Sequence, residues 1–197
     1  MHGKDLPEVL EPLKDIPCDK YYVNYYTAKQ AYKFGRDFFL NNEEYTHLIV
    51  QTVDMIPTKE GYEALMNHDQ NYDVVSGVMN VDLTDNKDKL AITQDIPSEN
   101  PKGRIFNWIT RKEYSELFEV GFAGFSFTRI SRKAVKELPF REDSSGYSQD
   151  VTFAIDCKNK NIPIYADTGI FFKHLRYQGE LMVGKKEKSC RLEKWSK

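Results

Sequence analysis

The chain has 197 residues, 40% of them hydrophobic and 13% aromatic, with a formal charge of −2 at pH 7. That length suits one globular domain whose core needs neither disulfide nor structural metal, and the near-neutral charge argues against nucleic acid as the main partner. Cys18, Cys157 and Cys190 are odd in number and lack metal-like spacing, which fits a reduced, cytoplasmic setting, and no apolar run is long enough for a transmembrane segment or a secretory leader.

The first elements follow a simple rhythm. Apolar residues at Leu6, Val9, Leu10, Leu13 and Ile16 give a helical period, and Pro7 sits where a first turn tolerates it. The aromatic run Lys20–Tyr26 reads as a strand. Thr27 is then a plausible N-cap for a helix to about Leu40, with Ala28, Ala31, Tyr32, Gly35, Phe38 and Phe39 as its inner stripe. Thr46–Val50 is a short continuous apolar run, the pattern of a strand covered on both faces. Pro57 and Thr58 open a helix over about Lys59–His68, and Asp73–Met79 is the next strand. Strands alternating with helices, without hairpin signals, predict an α/β fold with a mainly parallel central sheet. In such sheets ligands collect beyond the carboxyl ends of the strands, which is where Asp54 stands.

From Val81 to Glu113 charges, Pro and Gly reach loop density, and the apolar pieces Leu90–Thr93 and Ile105–Ile109 read as edge strands or a lid. Trp108 within this stretch is either a stacking platform for an acceptor or an anchor tying the loop to the core. Glu119–Ile130 is a strand in which Gly121 and Gly124 leave the backbone bare. Ser131–Leu138 is a capped helix ended by Pro139-Phe140. Ser148 is an N-cap candidate for a helix to about Asn159, and Ile162–Thr168 and Gly169–Leu175 supply the last strands. From Lys173 to the end, eight Lys or Arg face three Glu. That basic end is either a solvated tail or an attraction for an anionic substrate or membrane surface.

Three positions could carry chemistry. Asp54 ends a strand and can bind a divalent cation through oxygen, or simply cap the next turn. Thr52 points the same way but is a poorer ligand. Asp150 lies in a helix's first turn, where the macrodipole favours an acid for stability alone; as a carboxylate with an open approach through Ser144, Ser145, Gly146 and Ser148, it could also take a proton from a hydroxyl. His174 ends an apolar strand and is either a satisfied core residue or a metal ligand. Lys173, Arg176, Lys185 and Lys186 lie close by and could neutralise phosphate. His2, His47 and His68 show no partner pattern.

In their order, GFAGFSFTRISRKAVKELPF (121–140) and SQDVTFAIDCKNKNIPIYADTGIFFKHL (148–175), preceded by YYTAKQAYKFGRDFFL (25–40) and VVSGVM (74–79), resemble the GT-A fold nucleotide-sugar-dependent glycosyltransferases, especially their family 2-like members. The resemblance covers about Tyr21–Leu175. It implies a GT-A-like, Rossmann-related three-layer sandwich over residues 1–175, with the first nucleotide-binding strand absent or replaced, followed by a basic tail over 176–197. It also implies a divalent metal, Mn2+ or Mg2+, at Asp54 and His174, and a catalytic base at Asp150. Gly124, Trp108, Gln149, Lys173 and Arg176 would lie against substrate. The implied reaction is inverting transfer of a sugar from a nucleotide-diphosphate donor to a glycan, lipid-linked or protein acceptor, in the cytoplasm or at a membrane reached through the acceptor or the basic tail. This chain departs from the family pattern where the DxD motif reads Thr52-Val53-Asp54 and where Gln149 replaces the acid before Asp150. Those departures leave a second expectation: an inactive GT-A-like domain that binds a nucleotide, a glycan or a protein partner.

Overall fold

The computed structural model describes residues 7–24, 28–52, 55–81, 89–100, 103–110, 117–141, 148–174 and 191–194. In chain order they form α1 (Pro7–Lys14), β1 (Tyr21–Asn24), α2 (Ala28–Asn41), β2 (His47–Val50), β3 (Met55–Ile56), α3 (Lys59–Asn67) and β4 (Val74–Val78). Then come β5 (Lys89–Thr93), β6 (Ser98–Asn100), β7 (Gly103–Ile105), β8 (Trp108–Thr110), β9 (Leu117–Val120), β10 (Phe122–Ala123) and β11 (Thr128–Ser131). The chain closes with α4 (Arg132–Glu137), α5 (Gln149–Asn159), β12 (Ile164–Phe171), β13 (Lys173–His174) and β14 (Arg191–Lys194). The helices begin where the chemistry of their first turns says they should. Thr58 accepts from the Gly61 amide at 3.0 Å and Ser131 from the Ala134 amide at 3.1 Å, each satisfying a donor that the helix itself cannot.

The main sheet has five strands in the order β2-β11-β4-β12-β9. The class is α/β, but the sheet is mostly antiparallel, and β4 with β12 is its parallel neighbouring pair. The expectation of a mainly parallel sheet is therefore corrected. Its cause is specific: β11, which comes late in the sequence, inserts between β2 and β4 and runs against both. The helix-strand alternation does make β2 and β4 run the same way, and β12 joins them in that direction. Three carboxyl ends consequently share one edge. β2 is an edge strand, and Val50 alone among its residues is fully buried, so it is less covered than its apolar run suggests.

Side chains alternate between the two faces of this sheet. Val74, Val78, Ile130, Ile164 and Ala166 join a core with Phe39 of α2, Ala134 and Val135 of α4, and Val151, Phe153 and Cys157 of α5. Val75, with Ile49 and Tyr165 packed nearby, joins a second core with Leu65 of α3, Leu13 of α1 and Ile16. Helices thus cover both faces.

Residues 81–113 are more ordered than their composition suggests. Met79 and Val81 exchange backbone bonds with Ala91 and Lys89, so the chain doubles back after β4. β5 becomes the central strand of a three-stranded antiparallel sheet, β10-β5-β8, with Leu90 and Ile92 wholly buried. The reading of Leu90–Thr93 as an edge strand is corrected. β6 and β7 form a hairpin with Asn100 opposite Gly103. At the other end of the chain, β14 pairs antiparallel with β1, so part of the basic tail returns to the domain. No helix among the described residues is long and apolar enough to cross a membrane.

Candidate functional site

Near the edge where β2, β4 and β12 end lie Thr52 and the short strand Lys173–His174. Beyond β2, the Thr52 amide donates to the Phe125 carbonyl at 3.2 Å. The Met55 amide donates back to the Thr52 carbonyl at 3.3 Å, and the Gln51 side-chain amide donates to the Met55 carbonyl at 2.7 Å. Both flanks of Val53-Asp54 are therefore held. Asp54 itself lies outside the described residues. Met55 is register-paired with His174, and Ile56 with Lys173. The backbone of His174 is thus fixed beside the residue that follows Asp54, while its side chain lies outside the described set. Lys173 is exposed, and Arg176 lies outside the described residues.

What pins β13 in place is apolar. Phe172 is fully buried, its amide donates to the Val78 carbonyl at 2.8 Å, and its ring lies against Phe127. Gly77 of β4 and Gly61 of α3 flank that ring so closely that a Cβ on either would stand 2.4 and 2.7 Å from it. Two glycines, one per element, make the slot for the ring preceding Lys173-His174.

Phe125 joins this edge to α5. Its carbonyl receives the Thr52 amide, and its ring meets Phe153, in the second turn of α5, at 5.1 Å and Tyr32 of α2 at 5.0 Å. One turn earlier, Asp150 is half-buried, and its carboxylate accepts from the Val151 amide at 2.9 Å. Ser148 occupies the N-cap position but makes no side-chain capping bond. Asp150 does part of that work instead, so the stabilising role foreseen for it is present in the geometry.

Gln149 is the residue whose surroundings sequence could not reveal. It is only 5% exposed, and neither its Nε2 nor its Oε1 has a hydrogen-bond partner. Four further buried atoms among the described residues share that condition: Thr152 Oγ1 on the same face of α5, Thr52 Oγ1 beyond β2, Asn80 Oδ1 beyond β4 and Arg129 Nε on β11. Native interiors pair most such groups, so the orphans of α5 ask for an explanation. Gly124 is packed rather than open. Its amide donates to the Ala91 carbonyl at 2.8 Å, and a Cβ there would meet Met79 Cε at 3.1 Å and Ala91 Cβ at 3.4 Å. Trp108 is half-buried, with its ring stacked on Phe106 at 4.3 Å and tilted against Phe122 at 6.2 Å, which is the anchoring geometry.

Among the described residues no group of three or more His, Cys, Asp or Glu stands ready to hold a metal ion. His68, which offered no partner pattern in sequence, bonds Asp167 through Nε2 and Oδ2 at 2.8 Å. That pair ties the end of α3 to β12. The signal for it lies in the register of two elements ninety-nine residues apart, not in any local spacing.

No protein-family model matches the chain, and no curated protein sequence matches it. Solved structures do. The chain is similar to A197 from STIV, with 21% sequence identity, a TM-score of 0.50, and alignment over 77% of this chain and 69% of that one. That likeness is one of fold, and it is the α/β arrangement of strands and helices that the two chains have in common.

Proposed function

We propose that the chain is a glycosyltransferase on a GT-A-like scaffold, moving a sugar from a nucleotide-diphosphate donor to an acceptor hydroxyl. The observation that carries this reading is the convergence on Phe125: its carbonyl holds the segment leading to Asp54, and its ring holds the helix that begins with Gln149-Asp150. Pairing of Met55 with His174 brings in the third element. In this reading Asp150 accepts the proton of the acceptor hydroxyl. The hydroxyl oxygen then forms a bond to the anomeric carbon as the bond to the diphosphate oxygen breaks, inverting the configuration. Lys173 and Arg176 supply positive charge to the departing diphosphate.

A divalent cation suits the donor set available. Asp54 offers a hard oxygen, His174 an imidazole, and Thr52 a buried hydroxyl with no other partner. Mn2+ or Mg2+ bound there would neutralise charge on the leaving diphosphate.

The test is release of nucleoside diphosphate from UDP- and GDP-sugars, with and without Mn2+. The expected result is metal-dependent release that falls at least about 100-fold in Asp54→Ala and Asp150→Ala. Nucleotide-sugar binding by the wild type without any release would replace the enzyme with a binding domain. Absence of both binding and release would remove the reading altogether.

A further inference from the structure

The two buried, unpartnered polar side chains of α5 are three residues apart. Gln149 and Thr152 therefore share one face of the helix, and they are 5% and 0% exposed. A buried amide with both ends unsatisfied is destabilising by itself, and a leucine of similar size would avoid that cost. A helix start further presents backbone amides that its own turns cannot use, and here Ser148 makes no side-chain bond to them. The side chains and the helix end together hold hydrogen-bonding capacity that no described residue satisfies.

The chemistry of the orphans narrows that partner. The Gln149 amide offers two hydrogens at Nε2 and lone pairs at Oε1, and the Thr152 hydroxyl can both donate and accept. A phosphate or carboxylate only accepts and would leave Oε1 unpaired. It would also meet the Asp150 carboxylate, which already occupies the Val151 amide in this first turn. A group that donates and accepts at neighbouring atoms, without charge, fits all of these conditions. Adjacent hydroxyls of a sugar are such a group.

We propose that Gln149 and Thr152 form a neutral recognition pair for adjacent hydroxyls of a sugar, the acceptor of the transfer described above. Assignment of that sugar as acceptor rests on the transferase reading, because Asp150 follows Gln149 directly. The hydroxyl-recognising pair itself rests on burial and hydrogen-bond accounting.

Thermal unfolding of the full chain tests it, with glucose, galactose, mannose or N-acetylglucosamine added at equal concentration. As co-solutes the three hexoses stabilise any protein about equally, so discrimination among them reports a site. The expected result is that one sugar raises the wild-type Tm by about 3–6 °C more than its epimers when present at ten times its dissociation constant. Gln149→Leu and Thr152→Val should unfold no earlier than wild type and lose that discrimination. Equal responses to every sugar, discrimination that persists in both variants, or earlier unfolding of both would mean that the orphan atoms hold buried waters only. Hexose discrimination in a chain that never releases nucleoside diphosphate would leave this pair standing and remove the transferase. Release without discrimination would do the opposite.

Discussion

At the edge where β2, β4 and β12 begin, arginines reach one backbone carbonyl after another; toward the edge where they end, the described buried atoms Thr52 Oγ1 and Asn80 Oδ1 have no partner. The first edge is stitched by arginines. Arg129, wholly buried on β11, donates to the carbonyls of His68, Asp69 and Tyr72 just beyond α3, leaving only its Nε unpaired. Arg132 donates to the carbonyls of Phe39, Leu40, Asn42 and Tyr45 at the end of α2. Arg36 of α2 returns the service, donating to Val135 and Leu138 at the end of α4. Helix carbonyls without intrahelical partners thus find cationic donors. The opposite edge is held by rings instead, Phe172 in its glycine slot and Phe125 between Tyr32 and Phe153. Apolar packing joins backbone hydrogen bonds in fixing the chain there, while the side-chain atoms Thr52 Oγ1 and Asn80 Oδ1 have no partner. Buried polar groups left unpaired at some cost in stability mark a functional site in some domains and hold an ordered water or ion in others.

That contrast can be broken at either edge. Phe172→Ala should have the largest effect, a loss of about 3–5 kcal/mol by urea denaturation, because it empties a slot that two glycines shape for this ring. Arg129→Met should follow at about 2–3 kcal/mol, since it strips three half-covered carbonyls of a charged donor. Equal stability in that variant would mean the stitched edge is decoration.

Asp73, where β4 begins, should give a smaller, pH-dependent effect. Burial pushes its carboxyl up, but bonds from Lys133 and Ser131 outweigh this and hold it below the usual carboxylate value. A depressed folded pKa means stability that is present above the unfolded value of about 3.9 and fades as pH falls through the folded one. Asp73→Asn should therefore cost about 1 kcal/mol at pH 7. Unfolding curves between pH 2 and 6 should show that difference shrinking below about pH 4. Smallest of all, Gln149→Leu should change stability by less than about 0.5 kcal/mol or raise it, since the amide it removes has no partner. A large loss there would erase the distinction between the edges.

Sequence disclosed the helices well because their signals are local. Thr58 and Ser131 cap as their types suggest, and the apolar stripe of α2 falls within its observed bounds, whereas the period read for α1 runs on to Ile16, past the end of that helix. Strand neighbours were not legible. Alternation of β2, α3 and β4 gives the shared direction of the two strands, yet nothing local announces that β11 will slide between them from fifty residues downstream. β5 was hidden for a different reason: its charged flanks resemble a loop, and its burial depends on β8 and β10 on either side. At the site, Asp54, Asp150 and His174 stood out through residue type at the end of an element. Gln149 could be noticed only through its place before Asp150, because an orphaned amide is a property of everything around it. The His68–Asp167 pair escaped for the same reason.

The most direct test of the central claim, that the carboxyl-end edge is a sugar-nucleotide site organised about Phe125, is a crystal structure of the chain soaked with nucleotide sugars and Mn2+. The account predicts a diphosphate and metal between Asp54 and His174, with the sugar beside the start of α5 and within reach of Asp150. Ligand bound anywhere else, or Asp54 and Asp150 turned toward separate surfaces, would contradict it.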